Sequence, residues 1–363
     1  MKKFNRLLSL VCLVSIFSFI LPSSAMTENV KSEKEIVYIT TTNNNYKGIE
    51  KQDPNVESFD IMTKKDLLID VEDINKLGSK FKKRYQEGLR TIIVSKSITK
   101  NDIRKFHGIK ELPQSIDKKA SNLNEGTQIA VVAYKYNGID IIAGVKVIDE
   151  SDREHALVHA ANYDYSRILS PTLDETMSLQ SEGYSWNVAD SDVDSISGNN
   201  IDLDASLQLY YDTSSPDSSG YYYYYTTLIN ESAGYDGAST VGMCRTSTYG
   251  TSQNSRILEY GPPNGSIADG NPVEFSLGYG IGGISYSADS KVTISKYSGG
   301  INSRDVEVRH QPKNALGGNS RTDYLRSELH YIARDKSTVY QANSAATAAA
   351  TNTTIGVSLT ASR

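Results

Sequence analysis

The sequence predicts an α/β N-terminal domain, a small and partly parallel sheet with helices, followed by an all-β C-terminal domain arranged as an antiparallel sandwich or barrel. Three observations predict it. Strand and helix signals alternate up to about residue 165; beyond it the helical period disappears and short β-branched or aromatic runs are separated by Gly, Ser and Asn turns. The composition changes at the same place: residues 26–165 carry 22 bases and 22 acids, whereas residues 166–363 carry 13 bases, 21 acids and 17 of the 24 tyrosines.

Residues 1–25 are expected to be a signal peptide. Lys2, Lys3 and Arg6 precede an apolar run from Leu7 to Leu21, and Ser23-Ser24-Ala25 offers the small residues of a cleavage site. The run stops at Pro22, short of the roughly 20 apolar residues of a membrane-spanning helix, and no later stretch supplies one. Removing this leader takes away three bases and no acids, so the net charge moves from −5 to −8. That sign disfavours a nucleic-acid partner. Cys244 is then the only cysteine, which excludes an intramolecular disulfide.

In residues 26–165, Ile36 to Thr40 and Phe59 to Met62 read as strands. Val71, Ile74, Leu77, Phe81 and Tyr85 recur at spacings of three and four, one helix face, with Asp70 as N-cap and Gly88 as stop. Thr91 to Lys96 is a buried strand, and Thr99 caps a short helix ending at Gly108. Two apolar runs flank Asn137-Gly138, a pair suited to positive φ at both corners of a type I′ hairpin.

In residues 166–363, Ser206 to Asp212 and Tyr221 to Ile229 form one hairpin across a Ser/Pro/Gly turn. Val273 to Ile281 and Ile284 to Val292 form another around Gly282-Gly283, and further strands are expected at 239–245, 305–310, 325–333 and 353–360. The low-complexity segment 342–350 fits a helix or a linker equally.

Asp190, Asp192, Asp194, Asp202 and Asp204 form an acidic loop at 190–204 and a candidate calcium site, because alternate carboxylates in a loop can converge on one ion. Ser195 and Ile201 stand where an EF-hand needs Gly and Glu, which excludes that motif. His155 and His159 share a face if helical, where they offer two zinc ligands; on a strand they lie about 13 Å apart, too far for one metal. Cys244 lies beside Arg245, but a buried thiol is the simpler reading. No G-x-S-x-G, G-x-G-x-x-G or P-loop pattern occurs. Fold geometry alone places Thr41 to Asn44 and Ser97 near the ligand end of a parallel sheet.

Tyr221, Tyr223 and Tyr225 share one strand face and, with Tyr210, form the candidate ligand-binding surface, since tyrosine combines a rigid apolar ring with a polar tip. The expected protein is secreted or held at the exterior of the cell envelope and binds a surface glycan or protein through its β domain, without a catalytic role. Two alternatives are a membrane-active, pore-forming protein using the 273–292 hairpin, with peripheral membrane contact, and a secreted hydrolase with dispersed carboxylates.

Overall fold

The computed structural model describes residues 36–40, 46, 49–52, 62, 66–77, 79–108, 124–169, 180–181, 184–235, 241–279, 281–288 and 291–363. The leader, Thr41 to Asn44 and Phe59 to Ile61 lie outside the described residues.

In chain order the first elements are β1 (Ile36–Ile39), β2 (Glu50–Gln52), β3 (Asp66–Asp70), α1 (Ile74–Leu77), α2 (Ser79–Gln86), β4 (Thr91–Val94) and α3 (Lys100–His107). The hairpin β5 (Thr127–Tyr136) and β6 (Ile139–Val147) follows, then α4 (Arg153–Asn162). β1 pairs in parallel with both β2 and β3, and β3 with β4, whereas β5 returns antiparallel. Both faces of these strands are covered, which is why DLLID and TIIV are almost continuously apolar. Phe81, Tyr85 and Ile103 pack on one face with Leu67, Ile69 and Ile93; Ala156, Leu157 and Ala160 of α4 pack on the other with Leu68, Ile92 and Val132. Thr99 closes a capping box with Asp102, and Gly108 ends α3 at φ 73°. Asn137 and Gly138 have φ of 47° and 81°, the pair of positive values that the hairpin turn needs.

The remaining strands are β7 (Gln180–Ser181), β8 (Tyr184–Gly198), β9 (Ile201–Asp212), β10 (Tyr222–Gly234), β11 (Val241–Gly250), β12 (Arg256–Gly261), β13 (Ile267–Ala268), β14 (Val273–Leu277), β15 (Ile281–Tyr286), β16 (Val292–Gly299), β17 (Asp305–Pro312), β18 (Tyr324–Asp335), β19 (Val339–Ala348) and β20 (Thr353–Ser362). β8 pairs in parallel with β6, so the sheet continues across residue 165 into β9, β10, β18 and β12 and counts 12 strands. By contacts, Glu35–Arg363 form one compact unit. A second, six-stranded sheet in the order β13-β16-β17-β11-β19-β20 packs against its C-terminal half. The protein is therefore mostly β, with large multistranded sheets and little helix.

Alternation fills the space between the two sheets. Leu203, Leu207, Leu228 and Leu329 of the large sheet meet Val306, Val308, Ile355 and Val357 of the small one, all buried. Each such side chain contributes about 1.5–3 kcal/mol on burial. The low-complexity segment is neither helix nor linker: β19 is an interior strand whose Ala342, Ala346 and Ala348 face this core.

Two corrections concern loops. The acidic segment 190–204 is an antiparallel hairpin of β8 and β9 turning at Asn199 and Asn200, which take φ of 55° and 64°. On β9 the polar Asp202 and Asp204 alternate with the core-facing Leu203, Ala205 and Leu207. The β14–β15 hairpin turns between Leu277 and Ile281, which are paired, and not at Gly282-Gly283. Its arms of five and six residues fall below the 9 to 11 that a bilayer-crossing strand needs. Among the described residues no helix is long and apolar enough to cross a membrane.

Candidate ligand-binding site

The outer face of the large sheet, opposite the sandwich core, carries the chemistry. Register across β8, β9, β10 and β18 sets Ser195, Asp204, Glu231 and Arg326 in one cross-strand row. Farther along the same face, Tyr210, Tyr225 and Ile332 form a second row, and Tyr223 pairs with Arg334. α4 lies over the polar end, and β14–β15 lies over the aromatic end.

At the aromatic end, Trp186, Tyr210, Tyr225 and Ile332 form a buried cluster with Leu277, Ile281 and Ile284 of the hairpin. Tyr210 and Tyr225 are stacked at 5.3 Å and fully buried. This corrects the expectation that both contact ligand: the hairpin that covers them lies some 50 residues away in sequence, so strand alternation alone could not reveal it. Tyr225 OH is 2.9 Å from His330 Nδ1, whereas the Tyr210 hydroxyl has no partner, and burial pushes that phenol well above its ordinary value. Around this base the rings are only half-buried. Tyr184 lies 5.8 Å from Trp186, 5.6 Å from Tyr223 and 5.1 Å from Tyr279. Tyr223 donates to Asp217 at 3.1 Å, and Tyr221 lies under the Arg334 guanidinium and the Lys336 ammonium, at 4.9 and 5.0 Å. The half-buried aromatic surface is therefore Tyr184, Tyr221, Tyr223 and Tyr279, two of them predicted, one drawn from β8 and one from the β14–β15 turn.

The five aspartates divide between the two faces of the sheet. Asp190 accepts from Ser362 N at 3.0 Å, and burial raises its carboxyl to about 7. Asp192 accepts from Thr360 N at 2.7 Å and pairs with Lys100. Asp194 is 2.8 Å from both Lys100 and Lys146 and accepts from Gly144 N at 3.1 Å. Burial alone would raise Asp194, but these ammonium groups hold it below its ordinary value. A Cβ at Gly144 would lie 2.4 Å from Asp194 Oδ1 and would displace this carboxylate from its place.

Asp202 and Asp204 lie on the opposite face, beneath α4. The helix sets His155 and His159 on one side of its axis, resolving the helix-or-strand ambiguity. His155 Nε2 is 3.0 Å from Asp202, and His159 reaches Asp202 through Nδ1 at 3.4 Å and Asp204 through Nε2 at 2.8 Å. His159 thus bridges two buried carboxylates, an arrangement an imidazolium satisfies with both N–H groups. Burial raises Asp204; in Asp202 the same burial is overcome by the two histidines and Ser197, and its carboxyl is lowered. The five carboxylates do not converge, and among the described residues no group of three or more His, Cys, Asp or Glu is arranged to hold a metal ion.

A charged chain continues along this face. Tyr163 OH donates to Glu231 at 2.9 Å, and Arg326 joins Glu231 at 2.8 Å to Glu328 at 2.7 Å. Glu328 is also 2.9 Å from His330 Nε2. Cys244 lies elsewhere, paired across the backbone with His310 inside the sandwich. Burial pushes that thiol up and pulls His310 down to about 3, so both are neutral and shielded from solvent.

No protein-family model matches the sequence. No curated protein matches it either. Among solved structures, the chain shows similarity to the C-terminal domain of the AgI/II polypeptide BspA of Streptococcus agalactiae, with a TM-score of 0.22, 7% identity, and coverage of 45% of this chain and 58% of that one. A mutant of the same domain gives a TM-score of 0.22 and 6% identity, covering 45% and 55%. The chain thus spans under two thirds of the length of these neighbours.

Proposed function

We propose that the protein is exported to the cell exterior, through the leader at residues 1–25, and binds a surface ligand, a glycan, at the aromatic end of its large sheet. The α/β part of residues 26–165 serves as the support from which the Tyr-rich β part of residues 166–363 presents this surface. The reading is of a binding protein and not an enzyme. The observation that carries it is the set of half-buried rings of Tyr184, Tyr221, Tyr223 and Tyr279 on a rigid buried base of Trp186, Tyr210 and Tyr225. Aromatic faces held in place by packing stack on sugar rings with little loss of side-chain entropy.

The test is binding of residues 26–363 to a glycan array and to bacterial and host cell surfaces, beside Tyr184→Ser and Tyr223→Ser. Both rings are half-buried and near the surface, so the variants are expected to fold. Loss of binding in both supports the proposal; undiminished binding in both removes this surface from it.

A further inference from the structure

We infer that the aromatic end is built for an acidic saccharide, with Arg334, Lys336 and Arg256 receiving its carboxylate beside the stacking rings. This rests on the glycan-binding reading above and adds the ligand's charge. Arg256 and Arg334 are direct cross-strand partners on β12 and β18. Like charges placed opposite one another on antiparallel strands repel, and sheets ordinarily avoid the arrangement. Two residues on, Lys336 adds a third positive charge, and it shares the Tyr221 ring with Arg334.

No carboxylate is in direct contact with this group, although the Asp217 carboxylate acts on Arg334 from a greater distance. Among the described residues, none of Arg256, Arg334 and Lys336 has an acidic oxygen within ion-pair distance, although the chain as a whole is acidic. Two acids that act on the neighbouring rings Tyr223 and Tyr279 are engaged by other donors: Asp217 accepts from the backbone of Ser219 and Tyr221 and from Tyr223 OH, and Glu259 accepts from Gly278 N. Arg256 uses one arm on the carbonyls of Gln253 and Ser255, which fixes its position without neutralising it. Arg334 Nε is buried and has no acceptor at all. An unmet buried donor costs free energy unless a partner supplies the acceptor.

An anion would answer both the unmet Arg334 donor and the unpaired positive charges beside it, and the rings specify what carries it. Tyr223, the cross-strand neighbour of Arg334, lies 5.6 Å from Tyr184, which continues to Tyr279 at 5.1 Å. A sugar ring stacked on Tyr223 and Tyr184 brings a ring carboxylate to Arg334, where a planar guanidinium can engage it. A bare inorganic anion would leave the rings unused. An acidic peptide offers carboxylates on flexible side chains but no ring to stack.

The chain's single tryptophan, Trp186, stacks with Tyr184 at 5.8 Å and so reports binding at this place alone. Oligogalacturonate is to be titrated into residues 26–363 while Trp186 emission is followed, beside its neutral methyl ester, inorganic phosphate and a poly-glutamate peptide. The acidic saccharide is expected to bind at least about tenfold more tightly than the ester, from one charge-assisted contact, and to weaken with added salt. Lys336→Gln, at an exposed position, and Arg334→Gln, with its melting temperature checked, should each reduce that preference, whereas Tyr223→Ser should weaken both saccharides alike. Equal binding of acid and ester overturns the inference and leaves the glycan reading standing. Tighter binding of phosphate or peptide than of the saccharide overturns it in favour of those anions. Glycan-array binding that leaves Trp186 unperturbed overturns both.

Discussion

Glu328→Gln tests the charged face most sharply, because the native carboxylate is held so far from its ordinary behaviour. Glu328 is buried, and burial alone would raise its carboxyl; the His330 contact and the Arg326 charge overcome that and lower it to about 2. An unfolded glutamate titrates near 4.3, and each pH unit of separation is about 1.4 kcal/mol, so ionised Glu328 contributes about 3 kcal/mol. The folded value is the lower one. The contribution is therefore complete above about pH 5.5, declines as the pH falls through the unfolded value, and is gone below about 2. Reversible urea denaturation of wild type and Glu328→Gln, followed by Trp186 emission, should show a gap of about 3 kcal/mol at pH 7, with more than half lost at pH 3. A gap that keeps its pH 7 size down to pH 3 would refute the electrostatic account and leave a loss of shape or hydrogen bonding in its place.

The His159 clamp makes a second prediction. His159→Ala leaves Asp202 and Asp204 buried with one hydrogen-bonding partner fewer, at a cost of about 1–3 kcal/mol; adding Asp204→Asn should recover part of it, and a double-mutant cycle that is strictly additive would show that the pair does not interact. A third concerns the hairpin. Leu277→Asp puts a charge into the cluster over Trp186 and Tyr225, so Trp186 emission should move to the red under native conditions, and an unchanged spectrum would mean that β14–β15 does not shield that ring.

Local structure was legible wherever a residue pair dictates its own backbone. Asn137-Gly138 and the Thr99 box depend on neighbours one to three positions away, and they form as their sequences imply. What was not legible depends on pairing across the sheet. The spacing of Asp190 to Asp204 suits a loop that wraps an ion and equally suits two paired strands, and only the turn at Asn199-Asn200 distinguishes them. The same spacing conceals the fact that Asp194 and Asp204 serve opposite faces, one paired with lysines and the other with a histidine. His155 and His159 had a visible i, i+4 period, but their partners lie 45 to 47 residues away.

The tyrosines show why composition found the region but not the residues. Alternation correctly sorts Tyr222 and Tyr224 from Tyr221, Tyr223 and Tyr225, and it leaves one side to be wet. Both sides are in fact covered near Tyr224 and Tyr225, one by the second sheet and the other by a hairpin that pairs with neither large sheet. Burial of Tyr225 is what gives Tyr223 a fixed neighbour, since a ring on an exposed strand has nothing to hold its rotamer. The proposed binding surface lies where the cover ends, at Tyr221, Tyr223, Tyr184 and Tyr279, and that is also where Arg256 of β12 and Arg334 of β18 face one another. Residues from five separated segments meet there because a 12-stranded sheet and its hairpin bring them together, a convergence no window of sequence contains.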